Sequence, residues 1–470
     1  MASIFQKNKL SFTEFPKPSL KDWENKITAD LKGVDYRTKF NWQTLEGISH
    51  LPFYSNEHLH HSKTLSSPVQ EHLSNDWEIC QKISIGDCST ANTFAKQALV
   101  NGASSLYFDL SSGTISSLSD LEVLLDGIML EILTIHFSSS ISSQKHLSLF
   151  EEFIKKNKLP PQSYSFKFNS DPFADGLRTG KLLSKSDLNT STIFDTFCIN
   201  AKFYGDAGAT MVDQLAFALA AGNEYLGLEG SPEQPAKHIH FSFAVSSDYF
   251  LEISKLRAFR LLWSQVLDAY KSDLSTEHPA YIHAETSQIN FSLKDPHNNI
   301  LRTTTEAMSA AIGRANVITI TPFDEVYNEE NSFSDRVARN IQLILKEEAY
   351  FDKVADPGAG SYYIEHLTNQ LAEEAWIVFQ EIERVGGFYE AIKKGWVQKR
   401  VKVAQQSRIE ASKNGELVLI GVNKHPVKNE EERTPLPKKE VEASNSNNSE
   451  TIETISTLRI AEAFEMEALS

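Results

Sequence analysis

The chain has 470 residues, enough for a large core and two or three domains. Its composition, with 41% hydrophobic and 23% charged residues, is that of an ordinary soluble globular protein. The net charge of −16 argues against nucleic acid or an anionic membrane as a partner, because both of these bind basic surfaces.

The three cysteines Cys80, Cys88 and Cys198 provide neither a disulfide framework nor the spacing of a zinc site. The first residues lack an unbroken apolar stretch of the signal-peptide kind, and no apolar run approaches the length of a membrane span. We therefore expect a cytoplasmic protein in a reducing compartment, without a resident metal.

Residues 1–75 are predicted to form an arm rather than a domain core. Leu20–Leu31 has apolar residues at every fourth position and is followed by Gly33, which predicts one helix with a defined end. The arm carries too many large apolar side chains for a free tail, so we expect them to be covered. They could pack on a partner chain or fold back onto the rest of their own chain.

His58, His60 and His61 have a spacing that suggests a metal cluster. Few carboxylates lie nearby and no second cluster follows, so a solvated loop is the favoured interpretation.

From Trp77 to about Ile320 the pattern alternates short apolar strands with helical stretches, which predicts an α/β fold. Eight such units favour a (β/α)8 barrel, although a doubly wound sheet has the same local signature. Predicted helices include Thr90–Val100, Leu147–Asn157 and Asp248–Lys271. The predicted strands are Ser104–Leu110, Glu131–Phe137, Ser163–Phe168, Thr196–Lys202, Tyr225–Leu228, His240–Val245, Tyr281–Glu285 and Val317–Thr321.

The stretch from Thr196 to Leu226 is the most informative one. It predicts a strand, a break at Gly205–Gly208, a helix over Met211–Ala221 with Gly222 as its C-cap, and then another strand. In such units the chemistry sits at the turn beyond the end of the first strand.

Two later segments carry weaker signals. Asp356–Ser361 contains a Gly-x-Gly-Ser sequence, for which a tight turn is favoured over a phosphate-binding loop. Residues 426–450 are rich in Pro, Lys, Glu, Asn and Ser and are not expected to fold alone, whereas Ile452–Ala468 suggests a short closing helix.

The turn Lys202–Ala209, Lys-Phe-Tyr-Gly-Asp-Ala-Gly-Ala, resembles the Tyr-His-x-x-Glu-Ala-Gly-Ala motif of the methylmalonyl-CoA mutase family. Phe203 stands where that family has the histidine that lies over the reacting acyl group. Similar segments occur in the same order, among them Phe323-Asp324-Glu325, Arg339-Asn340-Ile341-Gln342 and Asp356–Tyr363. The resemblance extends unevenly from about residue 20 to 425, and it implies a (β/α)8 TIM-type barrel with an extended N-terminal arm and a C-terminal tail.

Several family positions are changed here. The family segment Arg-Pro-Trp-Thr-x-Arg-Gln-Tyr precedes the first strand and becomes Asn75–Lys82, which removes both arginines and places Lys82 at the tyrosine. The family glutamine of His-x-Gln-Thr-Ser becomes Glu285, and a second histidine becomes Thr319. Inward-facing serines of the family become Thr196, Cys198 and Asn200, and these larger side chains would fill the barrel. The resemblance thus implies no catalytic residues, with Lys82, Phe203, Glu285 and Thr319 as degenerate positions.

Catalytic chains of the family carry a cobalamin domain with an Asp-x-His-x-x-Gly sequence, in which the histidine ligates cobalt. The one Asp-x-His here, Asp295-Pro296-His297, lies within the barrel region and lacks the glycine. We therefore expect no cobalamin domain and no cofactor-binding residues in this chain.

The expected organisation is an arm for subunit association over 1–75, a degenerate acyl-CoA mutase barrel over 76–400, and a partly disordered extension over 401–470. The function implied is that of a non-catalytic barrel that stabilises the catalytic large subunit of a heterodimeric, adenosylcobalamin-dependent mutase, with the cofactor held by that partner. Two alternatives remain open. One is a barrel subunit whose cobalamin domain is a separate chain, and the other is a barrel repurposed for binding.

Overall fold

The computed structural model describes residues 14, 18–59, 75–110, 115–138, 144–160, 163–185, 188, 197–228, 231–428, 433–437 and 449–465. The chain divides into two compact units, Met1–Lys63 and Thr64–Ser470. No helix in the described ranges is both long and apolar enough to span a bilayer.

The first unit contains helices Leu20–Asp30, Tyr36–Phe40 and Asn56–Leu59, and an antiparallel pair of two-residue strands, Trp42–Gln43 and Ser49–His50. Leu20–Asp30 confirms the predicted helix, which begins at a capping box in which Ser19 and Asp22 exchange hydrogen bonds. Trp23 packs edge-on to Tyr36 at 5.3 Å and stacks on Phe53 at 4.8 Å between ring centroids. These three rings pack together and join the first helix to the segments that follow it.

The second unit is built on eight parallel strands, which confirms the predicted (β/α)8 architecture. The strands are β1 Glu78–Ser84, β2 Ser105–Asp109, β3 Thr134–Ser138, β4 Ser165–Asn169, β5 Phe197–Asn200, β6 Ile239–Val245, β7 Ile282–Thr286 and β8 Val317–Thr319. Backbone hydrogen bonds join them in the order β4-β3-β2-β1-β8-β7-β6-β5, which is chain order around a nearly closed barrel.

The seam between β4 and β5 is closed by a side chain. Asp171, just beyond β4, accepts a 2.8 Å hydrogen bond from the backbone N–H of Asn200 at the end of β5. The same carboxylate accepts from the N–H of Phe173 and so also caps the next helix, Pro172–Thr179. One buried carboxylate thus replaces a strand ladder at this position.

The outward faces of the strands are apolar and pack under the helices. Phe137 of β3 lies 5.8 Å from Phe108 of β2 and 5.5 Å from Phe168 of β4 between ring centroids. Phe150 of the overlying helix meets Phe137 edge-on at 4.8 Å. Full burial of each such ring contributes about 1.5–3 kcal/mol, so this aromatic layer anchors the first half of the barrel.

The predicted helices are confirmed with small shifts of their ends. The helices of the second unit are Cys88–Val100, Leu118–Leu125, Gln144–Asn157, Pro172–Thr179, Ala201–Asp206, Met211–Leu226, Glu233–His238, Tyr249–Tyr270, Leu274–Glu277, Asn298–Ile312, Ser332–Leu343, Tyr362–Val385, Phe388–Lys393, Trp396–Lys413 and Glu462–Glu465. A 3-10 turn, Leu130–Ile132, precedes β3, and a π-helical turn, Ile344–Glu348, extends one helix.

The predicted strand Tyr225–Leu228 is wrong, because the helix runs on through Leu226. Gly222 is inside this helix and does not cap it. A Cβ at Gly222 would lie 2.5 Å from Cζ3 of Trp263, so this glycine permits the close approach of two helices. The eighth strand is instead β1, which the sequence prediction missed.

The predicted closing helix over Ile452–Ala468 is also wrong for most of its length. Ser449–Thr451 pairs antiparallel with Lys181–Leu183, and within the part of 452–468 that the structure describes only Glu462–Glu465 is helical. The segment between them is extended because its N–H groups bond to the barrel, for example Leu458 to the carbonyl of Asp206 at 2.7 Å and Ile460 to that of Ile289 at 2.9 Å.

A buried ion pair behind β6 gives a direct test of the packing. Lys255 is fully buried beside Glu252, at 2.5 Å between Nζ and Oε2, and it also donates to the carbonyl of Ala244. Lys255→Met leaves the Glu252 carboxylate buried without its cation, which we expect to cost about 3–5 kcal/mol in the free energy of unfolding.

Urea denaturation measures this loss. The matched control is Lys271→Met, just after the end of the helix Tyr249–Tyr270, which removes a half-exposed pair with Glu233 and is expected to change the free energy of unfolding little. Equal losses in the two variants would contradict a structural role for the buried pair.

Candidate functional site: the lumen of the barrel

The inward faces of the strands are polar, the reverse of the branched apolar layers that usually fill such barrels. Along β2 the apolar Leu106 and Phe108 are completely buried under the helices, and the alternating Tyr107 faces the lumen. There its ring lies 5.8 Å from that of His283 on β7, across the barrel. The side chains of opposite strands therefore meet in the middle.

Asn169, the last residue of β4, is the centre of this polar layer. Its Oδ1 lies 3.0 Å from Nε2 of His240 on β6 and 3.3 Å from Nδ1 of His136 on β3. Its Nδ2 lies 3.5 Å from Nδ1 of His283, whose Nε2 lies 2.7 Å from Oγ1 of Thr319 on β8. One amide thus connects five strands.

The amide orientation assigns the imidazole tautomers. Oδ1 is an acceptor only, so His240 and His136 donate to it, and Nδ2 is a donor only, so Nδ1 of His283 accepts. His283 then carries its proton on Nε2 and donates to Thr319. Burial, together with the neighbouring His240 and Lys202, lowers the pKa of His283 to about 3, which keeps it neutral.

Above this layer, Lys82 of β1 faces two carboxylates. Its Nζ lies 3.1 Å from Oε1 of Glu325 and 3.4 Å from Oδ2 of Asp109 at the end of β2. Glu325 raises the pKa of Lys82 well above its usual value, against the opposing effect of burial. The ammonium is therefore charged and already paired.

A second lysine repeats this arrangement on the opposite wall. Nζ of Lys202 lies 2.5 Å from Oδ2 of Asp206. The other oxygen of this carboxylate, Oδ1, accepts a 2.6 Å hydrogen bond from the hydroxyl of Ser287. Burial acts to lower the pKa of Lys202, but the nearby carboxylates of Asp206 and Glu285 outweigh this effect. The pKa of Lys202 is therefore raised above its usual value. Glu285 accepts from Ser242 at 3.0 Å, and burial raises its pKa although Lys202 and Lys82 oppose the shift.

The resemblance predicts that the segment Asn75–Lys82 precedes the first strand. This prediction is wrong from Glu78 onward, because β1 begins at that residue. Glu78 lies in the lower lumen, where it accepts from the hydroxyl of Thr134 at 2.9 Å, and burial raises its pKa. Asp76 lies outside the strand and pairs with Lys346.

Phe203 does not face the lumen charges. It follows Lys202 on the short helix Ala201–Asp206, is 3% exposed, and packs edge-on to Tyr204 at 5.5 Å. The guanidinium of Arg178 lies over its ring at 4.9 Å. The structure thus brings Lys82, Glu285 and Thr319 into the lumen and places Phe203 in the packing beside it.

Of the three residues predicted to fill the barrel, Cys198 is fully buried in β5 and Asn200 caps the helix that follows, accepting from the N–H of Phe203 at 3.0 Å. Thr196 lies outside the described residues. Burial raises the pKa of the Cys198 thiol well above its usual value.

The residues present do not fit a cobalt-ligating histidine of the family type. The ring of His297 stacks on Phe323 at 5.7 Å between ring centroids. Asp295, the residue that would orient this imidazole in the family motif, instead accepts a 2.7 Å hydrogen bond from Nδ2 of Asn298. Beyond residue 425 the described residues contain one short strand and one short helix.

Two weaker candidates are also placed. Nδ1 of His58 accepts from the N–H of Ser55 at 2.9 Å, while His60 and His61 lie outside the described residues. The described ranges contain no metal-like group of three His, Cys, Asp or Glu side chains. In the 356–361 loop the N–H of Gly360 donates to Glu365 at 3.0 Å, so a carboxylate of the chain takes the amide that a phosphate would need.

Sequence reasoning missed Tyr107, His136, Asn169 and His240, which form the middle of the lumen. Each alternates with apolar residues in its own strand, as in Ile239-His240-Phe241-Ser242-Phe243. This alternation could have revealed them. In a parallel barrel the helices cover the apolar residues of each strand, so the alternating polar residues face the inside.

The charged side chains of the lumen pair with one another. The two upper lysines face four carboxylates, those of Asp109, Asp206, Glu285 and Glu325, and the middle layer is joined by hydrogen bonds through Asn169. An entering thioester or anion would have to displace these partners.

The fold and this lumen define a (β/α)8 barrel whose centre is an internal polar network. The family model of methylmalonyl-CoA mutase matches residues 112–469, more than half of the chain. The chain belongs to the methylmalonyl-CoA mutase family.

Individual relatives agree. The chain is 38% identical over 90% of its length to the methylmalonyl-CoA mutase small subunit of Porphyromonas gingivalis and 30% identical over 77% to that of Streptomyces virginiae. It is 28% identical over 86% to the large subunit of Porphyromonas gingivalis. The alignments span 72%, 61% and 64% of these relatives, so each of them is longer than the part matched.

The neutral state of His283 predicts a pH dependence of stability. Its folded pKa of about 3 lies below its ordinary value of 6.5, so the unfolded chain takes up the proton first. The resulting stability is fully present above pH 6.5 and is lost as the pH falls toward 3, by about 3–5 kcal/mol over the whole window.

Denaturant unfolding between pH 7.5 and 4.5 tests this. His283→Gln should show a pH slope shallower than that of the wild type by roughly one proton. A wild-type slope in the His283 variant would contradict the assignment.

Proposed function

We propose that this chain is the small, non-catalytic subunit of a heterodimeric methylmalonyl-CoA mutase, which interconverts methylmalonyl-CoA and succinyl-CoA. In the family this reaction depends on adenosylcobalamin, which supplies the radical chemistry when bound. In the proposed assembly a catalytic large subunit holds both cofactor and substrate, and this chain stabilises and positions it.

The observation that carries the proposal is that the lysines Lys82 and Lys202 of the lumen are already paired with carboxylates of the same chain. A catalytic barrel keeps a bore for the acyl-CoA and polar groups that await the substrate. Here Lys82 is held by Glu325 and Asp109, and Lys202 by Asp206, so neither ammonium is available to an acyl carboxylate. Substituting any one of these lumen residues leaves the pairs made by the others in place.

The partner is supported by the relatives. Porphyromonas gingivalis has chains named as small and large subunits, and this chain resembles both, with higher identity to the small one. The first unit, with Trp42 at 53% and Phe40 at 44% exposure, is proposed to take part in the association. Loss of co-elution after removal of residues 1–63 would support this role.

Purified alone, the chain should neither isomerise methylmalonyl-CoA nor bind adenosylcobalamin in stoichiometric amount. Phe203→His should not restore turnover, because Lys82, Glu285 and Thr319 remain and groups that act as a unit give non-additive losses. Coupled assays of each variant, with corrin absorbance followed through size exclusion, are the measurement. Turnover by the isolated Phe203→His chain, or a co-eluting corrin, would overturn the non-catalytic assignment.

A further inference from the structure

The most exposed large apolar side chains are not spread evenly over the second unit. Among the described residues they are Val100 at 86%, Ile132 at 69%, Leu301 and Phe333 at 65%, Met129 at 64% and Tyr350 at 62% exposure. Four of these six, Val100, Met129, Ile132 and Tyr350, belong to segments at the end of the barrel where β1, β2 and β3 begin. We call these four the N-terminal face patch.

The chain topology places them there. Val100 ends the helix that leads into β2, and Met129 and Ile132 lie in the segment that leads into β3. Tyr350 lies two residues before Asp352. The backbone carbonyl of Asp352 accepts a 2.9 Å hydrogen bond from the N–H of Asn75, which lies just before β1. Apolar side chains this exposed and grouped on one face indicate an interaction surface.

The charged rim of the patch is predominantly acidic. Lys96, Lys346 and Lys353 each pair with a carboxylate of the same face, Asp126, Asp76 and Asp352 respectively. Glu131, Glu347 and Glu348 are exposed and add negative charge beyond these pairs, of which Arg339, whose Nε donates to the carbonyl of Asn101, offsets one. The rim therefore suits a partner surface that carries Lys or Arg around an apolar centre.

This charge selects among possible occupants. A second copy of the chain would bring the same acidic rim against itself, which costs free energy when like charges are juxtaposed. Nucleic acid and anionic lipid are repelled for the same reason. A different protein with a basic rim is the occupant that the charges favour.

We propose that the N-terminal face patch is the surface against which the large subunit packs, through an apolar contact with Lys and Arg at its edge. This inference rests on the proposed function, because it takes the large subunit as the partner. It leaves the opposite face, where Leu301 and Phe333 are exposed, outside the contact.

The experiment compares matched substitutions on the two faces. Ile132→Glu and Tyr350→Glu are made in the full chain, with Leu301→Glu and Phe333→Glu as controls of nearly equal exposure. Each variant is titrated against the large subunit of the same organism by biolayer interferometry, and circular dichroism checks that it folds. Charge placed in an apolar contact should raise Kd about tenfold or more for the first pair and leave the second pair near wild type.

A second arm tests the rim. Glu347→Lys with Glu348→Lys should also weaken binding, and rising salt should weaken the wild-type complex, because both remove attraction between opposite charges. Each of these results would support the proposal.

The outcomes separate the two proposals. If the wild-type chain does not bind the large subunit at all, the proposed function fails. If the wild type binds and Ile132→Glu and Tyr350→Glu bind equally well, or if Leu301→Glu and Phe333→Glu lose as much, the proposed function stands and this surface is wrong.

Discussion

The arrangement of the barrel depends on one side-chain amide. Asn169 presents its oxygen to His240 and His136 and its nitrogen to His283, in an interior where burial keeps His283 neutral. An ionised imidazole there would be costly without a partner, whereas a neutral one such as His283, with a partner at each ring nitrogen, is tolerated. Through this network the inward residues of several strands are joined by hydrogen bonds, and the apolar outward faces supply the burial that holds the helices.

The upper lumen follows the same logic with charges. Lys82 and Lys202 stand on opposite walls, and each is neutralised by carboxylates that the chain itself provides. Such internal pairs give little net stability, since the cost of removing both ions from water offsets their attraction. Their consequence is for binding, because a ligand must compete with partners that are already in place.

Much of this organisation is visible in the sequence, and its failures have physical reasons. Periodicity predicts seven of the eight strands, and the resemblance to a known family predicts that they close into a barrel. β1 escapes because Glu78 and Lys82 interrupt its apolar pattern, although they are lumen residues. Tyr225 looks like a strand former, but tertiary packing keeps it helical, with Gly222 accommodating Trp263. His136 and His240 show no motif, because their role depends on which strands face each other across the lumen.

The central claim is that this barrel holds no acyl-CoA while its partner does. The most direct measurement is the number of succinyl-CoA sites on the complex with the large subunit, by isothermal titration of the complex and of this chain alone. The account predicts one site per heterodimer and no heat of binding with the isolated chain. Two sites per heterodimer, or stoichiometric binding by this chain alone, would contradict it.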